Sequence, residues 1–361
     1  MTSPLHLRGV LLPWDQQRDV WVVDGTLTFE PLGGAQTVAE RGWILPGLVD
    51  AHSHIGLQED GPVADLDVAR EQARTDRDTG ALLLRDAGSP LDTRPLLDEP
   101  DLPRLIRAGR HIARPRRYIR NYAAEVEPAG LVDEVLRQAE YGGGWVKVVG
   151  DWIDRDVGDL APLWPDGVLA EAVRAAHAAG VRVAVHTFAT ETIPGLLAAG
   201  VDSIEHGTGL ATDHLTEMAA KGITLTATSQ IVGTFGQIAE RAGPKFPAYA
   251  ARMHAMAADY ARVLRAAYQA GVVINVGSDS GGVLPHGQVV GEIRALHAAG
   301  LPREAALAAG SWAARDWLGL PGIEEGGPAD LVVYPTDPRV DLDVLATPQH
   351  IILRGGVLPR L

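Results

Sequence analysis

The chain has 361 residues, of which 46% are hydrophobic and 22% charged, and a formal net charge of -14. That length holds one elaborated barrel, or one large domain and a small one, with ample material for a core. The acidic balance argues against a nucleic-acid partner. The absence of cysteine excludes disulfides, thiolate ligands and cysteine nucleophiles.

The N-terminal segment does not read as a signal peptide, and no apolar run reaches the roughly 18 residues of a membrane span. The expected location is therefore the cytoplasm, with a small-molecule substrate and no membrane partner; a homo-oligomer is compatible with the sequence. Leu5 to Leu12 and Val20 to Val23 read as short strands. Asp24-Gly25 is a hairpin signal, and Thr26 to Phe29 is the returning strand. From about Leu45 a short apolar strand is followed by an Ala-rich helical stretch, again and again. The strand candidates are Leu48 to His54, Ala81 to Asp86, Arg104 to Ala108, Trp145 to Val149, Val181 to Thr187, Ser203 to His206, Thr224 to Thr228 and Val272 to Ser278. Helices are expected over Asp65 to Thr79, Gly130 to Tyr141, Val168 to Ala179 and Tyr249 to Ala270, several of them stopped by glycine before the next strand.

Eight strands alternating with helices favour a (β/α)8 TIM barrel. A doubly wound sheet would bring a Gly-rich phosphate loop after an early strand, and none is found. After about Gly322 the short strands return, at Ala329 to Tyr334 and Ile351 to Leu353. The expected division is a barrel over residues 46–322 and a small β-sandwich built from residues 1–45 and 323–361.

The stretch Gly42 to Gly56 reads GWILPGLVDAHSHIG. On a strand, His52 and His54 point the same way, close enough to share a metal ion. Four later segments each offer one more ligand at or near a strand end. Lys147 sits inside the apolar WVKVV, His186 ends Val181 to Val185, His206 ends Val201 to Glu205, and Asp279 follows Val272 to Ser278. Each alone reads as a satisfied structural group, such as Lys147 paired with Asp151. Their recurrence at the same end of successive strands points to one site.

Without thiolates, a metal site must use histidine, carboxylates or a modified side chain, and imidazole with carboxylate suits zinc and its neighbours. The set fits two divalent ions, which about 3.5–4 Å apart hold a bridging hydroxide and polarise a carbonyl. Unmodified, Lys147 is a poor ligand; carboxylated by carbon dioxide it becomes an anionic carbamate able to bridge both ions.

These residues, in this order, resemble the amidohydrolase superfamily. PGLVDAHSHIG, RDAG at Arg85 to Gly88, WVKVV, SIEHGT at Ser203 to Thr208, GSDSG at Gly277 to Gly281, PHG at Pro285 to Gly287 and GGPADLVVY at Gly326 to Tyr334 resemble its prolidase-like, imidazolonepropionase-related branch. The resemblance implies a barrel with a β-sandwich from both termini. It implies one ion on His52, His54 and Asp279, a second on His186 and His206, and a carboxylated Lys147 between them. Asp279 would also take a proton from the bridging water and deliver it to the leaving group.

One segment departs from the family pattern. Many relatives carry a glycine-rich, His-containing stretch after strand three, where this chain reads ARPRRYIRNY. His111 is the candidate replacement. Arg107, Arg110, Arg114, Arg116, Arg117 and Arg120 crowd this region. They read either as a receptor for a substrate carboxylate or as solvated loop charge. Tyr118, Tyr122 and His286 are further candidates for substrate contact, and Trp152 and Trp164 for the pocket wall.

The sequence thus favours a binuclear metal-dependent hydrolase of an amide bond in a dipeptide or N-acyl amino acid. The rivals are a mononuclear cyclic-amide hydrolase or deaminase, against which Lys147 argues, a lactone, ester or phosphotriester hydrolase, and a metal-binding protein without catalysis.

Overall fold

The computed structural model describes residues 3–59 and 61–359; the outermost two residues at each end of the expected terminal unit lie outside the described residues. The two ends of the chain meet in one sheet. Leu5–Leu11, Gln16–Val23, Thr26–Thr28, Gln36–Ala39 and Trp43–Pro46 join Leu331–Tyr334, His350–Leu353 and Gly356–Val357 in an eight-stranded sheet. Trp43–Pro46 and Leu331–Tyr334 run antiparallel, Ile44 opposite Val333 and Leu45 opposite Val332. Alternation then divides their side chains. Ile44, Leu331 and Val333 pack with Leu7, Val20 and Val22 in a core of the end sheet. Leu45, Val332 and Tyr334 face the larger core.

Between the two ends, strands and helices alternate as expected. Leu48–Ser53, Ala81–Asp86 and Arg104–Arg107 lie side by side in parallel. Trp145–Val149, Arg182–Thr187, Ser203–His206, Thr224–Ala227 and Ile274–Val276 follow in sequential order in a second parallel sheet. Main-chain bonds link the last strand's exit to the first strand: Asp279 N donates to His52 O at 2.7 Å and His54 N to Ser280 O at 2.9 Å. On the other side Gly143 N donates to Arg107 O at 2.6 Å. The result is a TIM-barrel-like α/β fold. Leu82, Leu84, Val146, Val148, Val183, Val185 and Leu225 pack outward against helices. Val49, Ala51, Leu83, Trp145 and Ala184 form an inner cluster that Ala314 and Leu318 close from one end.

Local signals explain most element ends. Asp65 caps Leu66–Asp78, its Oδ1 accepting from Asp67 N and Val68 N at 3.0 and 3.1 Å. Pro247 opens the long helix Pro247–Gln269. The expected glycine stops Gly80, Gly180, Gly200, Gly222 and Gly271 all stand at positive φ. The eighth strand is shorter than expected at both ends, spanning Ile274–Val276, and the chain beyond it places Asp279 at φ 54°. The chain ahead of Pro247 adds two helices, Ser229–Gly233 and Phe235–Ala242, which cover the strand ends. No helix among the described residues is long and apolar enough to cross a membrane.

Gly277 shows how tightly the last strand meets the first. A Cβ there would sit 2.5 Å from His52 Cβ and 2.7 Å from Thr226 Cγ2. Gly277→Ala is therefore expected to destabilise the protein by about 1–3 kcal/mol, read as a lower urea midpoint. An unchanged midpoint would mean that the two strands are not held this close.

Candidate functional site

The first parallel strand carries a one-residue irregularity where the site begins. Asp50 pairs with Leu84 and Ser53 with Asp86, so three steps on one strand oppose two on the other. Such a bulge re-aims side chains. His52 and His54 lie with ring centroids 5.1 Å apart, tilted at 77°. Each uses Nδ1 elsewhere: His52 on Glu205 Oε2 at 2.6 Å and His54 on Gly88 O at 2.7 Å. Their Nε2 atoms both meet Asp279 Oδ1, at 3.3 and 3.1 Å. Donor atoms of His52, His54 and Asp279 all lie within 4.8 Å of one another.

The other expected ligands converge on the same point. Lys147 Nζ is 3.3 Å from His52 Nε2. His186 Nδ1 is 2.9 Å from His206 Nε2, and His206 Nδ1 is 2.8 Å from Thr228 Oγ1 and 3.9 Å from Asp279 Oδ2. His186 Nε2 is buried with no hydrogen-bond partner among the described residues. A buried imidazole nitrogen without a partner, beside a carboxylate and three further histidines, is the donor chemistry of a divalent transition-metal site. The residues present fit metal.

Electrostatics agree. Burial pulls the Lys147 ammonium down to about 8, opposed by the charges of Glu205 and Asp279. Burial also pushes His186 and His206 well below the usual imidazole range, so both stand neutral, as ligands must. Burial works against ionisation of Asp279, yet His52, His54 and His206 outweigh it and hold the carboxyl well below its usual range. Two of these residues, His206 and Asp279, stand at φ 64° and 54°. A non-glycine residue in that region is strained, and such strain gathers at functional sites.

Three supporting residues, Glu205, Arg85 and Asp50, were not singled out from the sequence. Glu205 is fully buried and accepts from His52 Nδ1, from Arg85 Nη2 at 2.8 Å on both oxygens, and from Ser203 Oγ. Arg85 also donates to Ala51 O at 2.6 Å, and its guanidinium carbon lies 4.6 Å and 5.1 Å from the rings of Trp145 and Trp317. This buried pair fixes which nitrogen of His52 faces the site. The available signal was period two: Ser203 and Glu205 share a face within a buried strand, and Arg85 is a charge inside another. Asp50 acts likewise, accepting from His52 N, Ser278 N and Ser278 Oγ.

Above the donors lies a cavity of about 250 Å³. His54, His186 and Asp279 form its polar floor, and Tyr118, Tyr122, Trp152, Phe188, Phe235, Tyr249 and Met253 line its walls. Tyr118 and Trp152 are thus where the sequence puts them. Trp164 is not; it is core, with Nε1 bonded to Val149 O at 2.7 Å. His111 is buried beside the cavity, its ring 5.8 Å from His54 and 5.0 Å from Tyr118. His286 stays outside the cavity, because its Nδ1 is held by the buried Asp76 at 2.8 Å. The arginines sort by partner. Arg107 serves Thr93 and Tyr141 O, Arg114 pairs with Glu127, and Arg117 with Asp154. Arg120 lines a neighbouring cleft and does not enter the cavity. None of the six reaches the cavity, so a carboxylate receptor there is not built from this loop.

The family model described as "Amidohydrolase family" matches residues 160–357, more than half of the chain. An uncharacterized protein of Mycobacterium tuberculosis (strain H37Rv) is 51% identical over 353 residues, covering 97% of this chain and 95% of that one. A Xaa-Pro dipeptidase solved with methionine in its active site superposes with a TM-score of 0.83 at 21% identity, over 99% of this chain and 100% of the other. A prolidase complexed with N-methylphosphonate-L-proline superposes equally well, also at a TM-score of 0.83, 21% identity and the same coverage. The family match and the donor cluster point the same way: the chain belongs to the amidohydrolase family and is a metal-dependent hydrolase.

Proposed function

We propose that the chain hydrolyses an amide bond of a small substrate, a dipeptide or an N-acyl amino acid, at a binuclear metal centre. The observation that carries this reading is the convergence of His52, His54, Lys147, His186, His206 and Asp279 on one another beneath an apolar cavity whose floor is His54, His186 and Asp279. His52, His54 and Asp279 would hold one ion, His186 and His206 a second, with Lys147 shared between them as a carbamate. The depressed pKa of Lys147 favours the neutral amine that carbon dioxide requires. The framework proposed around it is a closed barrel over residues 46–322 and a β-sandwich of residues 1–45 and 323–361.

Zinc ions bound there would activate a water and polarise the amide carbonyl. Asp279 would accept the water's proton at Oδ and return it to the leaving nitrogen. Burial, reinforced by the charge of Asp279, keeps the Tyr118 phenol protonated, so at the cavity wall it would donate a hydrogen bond to the substrate carbonyl. His111, kept neutral by burial, would support it from behind. The aromatic walls suit an apolar or aromatic side chain on the substrate. The prolidases among its structural neighbours agree with a dipeptide.

The test is product release, by mass spectrometry, from a mixed library of dipeptides and N-acyl amino acids incubated with protein loaded with zinc and bicarbonate. Cleavage is expected for members with apolar side chains. No cleavage, with metal confirmed bound, would move the reading to cyclic amides or esters. Asp279→Asn should lower turnover by at least about 100-fold, the scale of general acid–base work, while metal stays bound; unchanged turnover would remove the role assigned to that carboxylate. Glu205→Gln should weaken zinc binding by about 10–100-fold in competition with a chelator. Wild-type affinity in that variant would show that His52 needs no such support.

A further inference from the structure

Behind Tyr118 lies a second cleft, of about 770 Å³, whose lining is of another kind. Among the described residues it is lined by five arginines, Arg110, Arg116, Arg120, Arg137 and Arg155, and by a single carboxylate, Glu125. In a chain of net charge -14 this is a local inversion of sign. The arginines are also poorly neutralised. Arg137 pairs with Glu134. Arg110 spends Nε and Nη2 on main-chain oxygens, Tyr122 O at 2.8 Å and Asn121 O at 3.0 Å. The guanidinium groups of Arg116, Arg120 and Arg155 make no hydrogen bond or ion pair with any described residue. Glu125 is tied to the main chain of Arg116, accepting from its N at 3.1 Å.

A shortage of acids does not explain this. On the same loop Arg114 reaches Glu127, and Arg117 reaches Asp154. Two residues bracketing the loop, Arg116 and Asn121, stand at φ 60° and 66°. Holding a non-glycine residue there is unfavourable, and it persists where surrounding structure or function demands it. Guanidinium groups gathered in one cleft repel one another unless an anion lies among them. Their planar forks match phosphate and carboxylate oxygens, which a solvated lysine face would not.

We propose that this cleft is a binding site for a small polyanion, carrying at least two negative charges on phosphate or carboxylate groups, distinct from the cavity over Asp279. The two share Tyr118, whose ring is set between Trp152 at 4.7 Å and His111 at 5.0 Å and separates them. The size is that of a small-ligand pocket. A long polyanion such as nucleic acid is disfavoured by the negative charge of the rest of the molecule.

Calorimetric titration of the zinc-loaded protein with sn-glycerol 3-phosphate, and separately with glutarate, tests this. Both are dianions that bind zinc weakly. Saturable binding of at least one is expected with a Kd below about 1 mM, in the wild type and in Asp279→Asn alike. Arg116→Ala combined with Arg155→Ala should weaken it at least about tenfold, and added salt should weaken it further. The tighter of the two anions identifies phosphate or carboxylate as the natural group. Both substituted arginines are exposed, so the melting temperature should hold; Arg120→Glu provides a second, independent variant. No saturable binding of either anion would overturn the proposal. So would binding that the arginine variants retain, or binding lost only in Asp279→Asn.

Discussion

Burying many polar donors in one place without leaving a charge uncompensated is the constraint on which this molecule depends. His52, Lys147, His186, His206, Arg85 and Glu205 are all removed from water within one end of a strand assembly. An unpaired charge there would cost several kcal/mol, on the order of the desolvation penalty for a single ion. Glu205 resolves much of it. One carboxylate satisfies Arg85 and Ser203 and turns His52 so that its second nitrogen faces the site. Arg85, boxed by two tryptophan rings, ties that arrangement to the inner cluster that fills the strand interior. His186 Nε2 is left over, a donor to which no described residue supplies a partner.

The surrounding fold serves that placement. The first strand bulges before His52, and the main chain of Asp279 bonds directly to His52 O. Gly277 permits the approach, and Asp279 and His206 accept strained backbone to present their side chains. Helices Ser229–Gly233 and Phe235–Ala242 then wall the site with apolar groups. An apolar wall over a polar floor makes each interaction at the floor stronger than it would be in water. The end sheet lies away from this chemistry and meets the rest through Trp43–Pro46 and Leu331–Tyr334, whose outward residues enter the larger core.

How much of this the sequence made legible follows from the range of each interaction. Strand-end histidines and the two-residue spacing of His52 and His54 are local patterns, and all six expected ligand positions come together. Pairing across the chain is not local. Nothing near Glu205 in sequence says that His52, 153 positions away, will rest on it. The same limit applies to the arginine-rich loop, whose members look alike in sequence and differ only in which distant acid reaches them. Arg117 meets Asp154, while Arg120 meets none among the described residues. His286 was a reasonable pocket candidate from its place after the eighth strand, but the buried Asp76 holds it elsewhere. The left-handed backbone of Asp279 just beyond that strand is likewise a feature that composition does not encode.

In the proposed binuclear centre six side chains, from four strands and the loop that follows the eighth, hold the metal together. Its most direct test is the zinc content of protein reconstituted with zinc and bicarbonate and freed of excess metal, measured by inductively coupled plasma mass spectrometry. Two equivalents per chain are expected in the wild type, and fewer in Lys147→Ala, which removes the side chain proposed to lie between the two histidine groups. A single equivalent in the wild type, or two retained without Lys147, would contradict it.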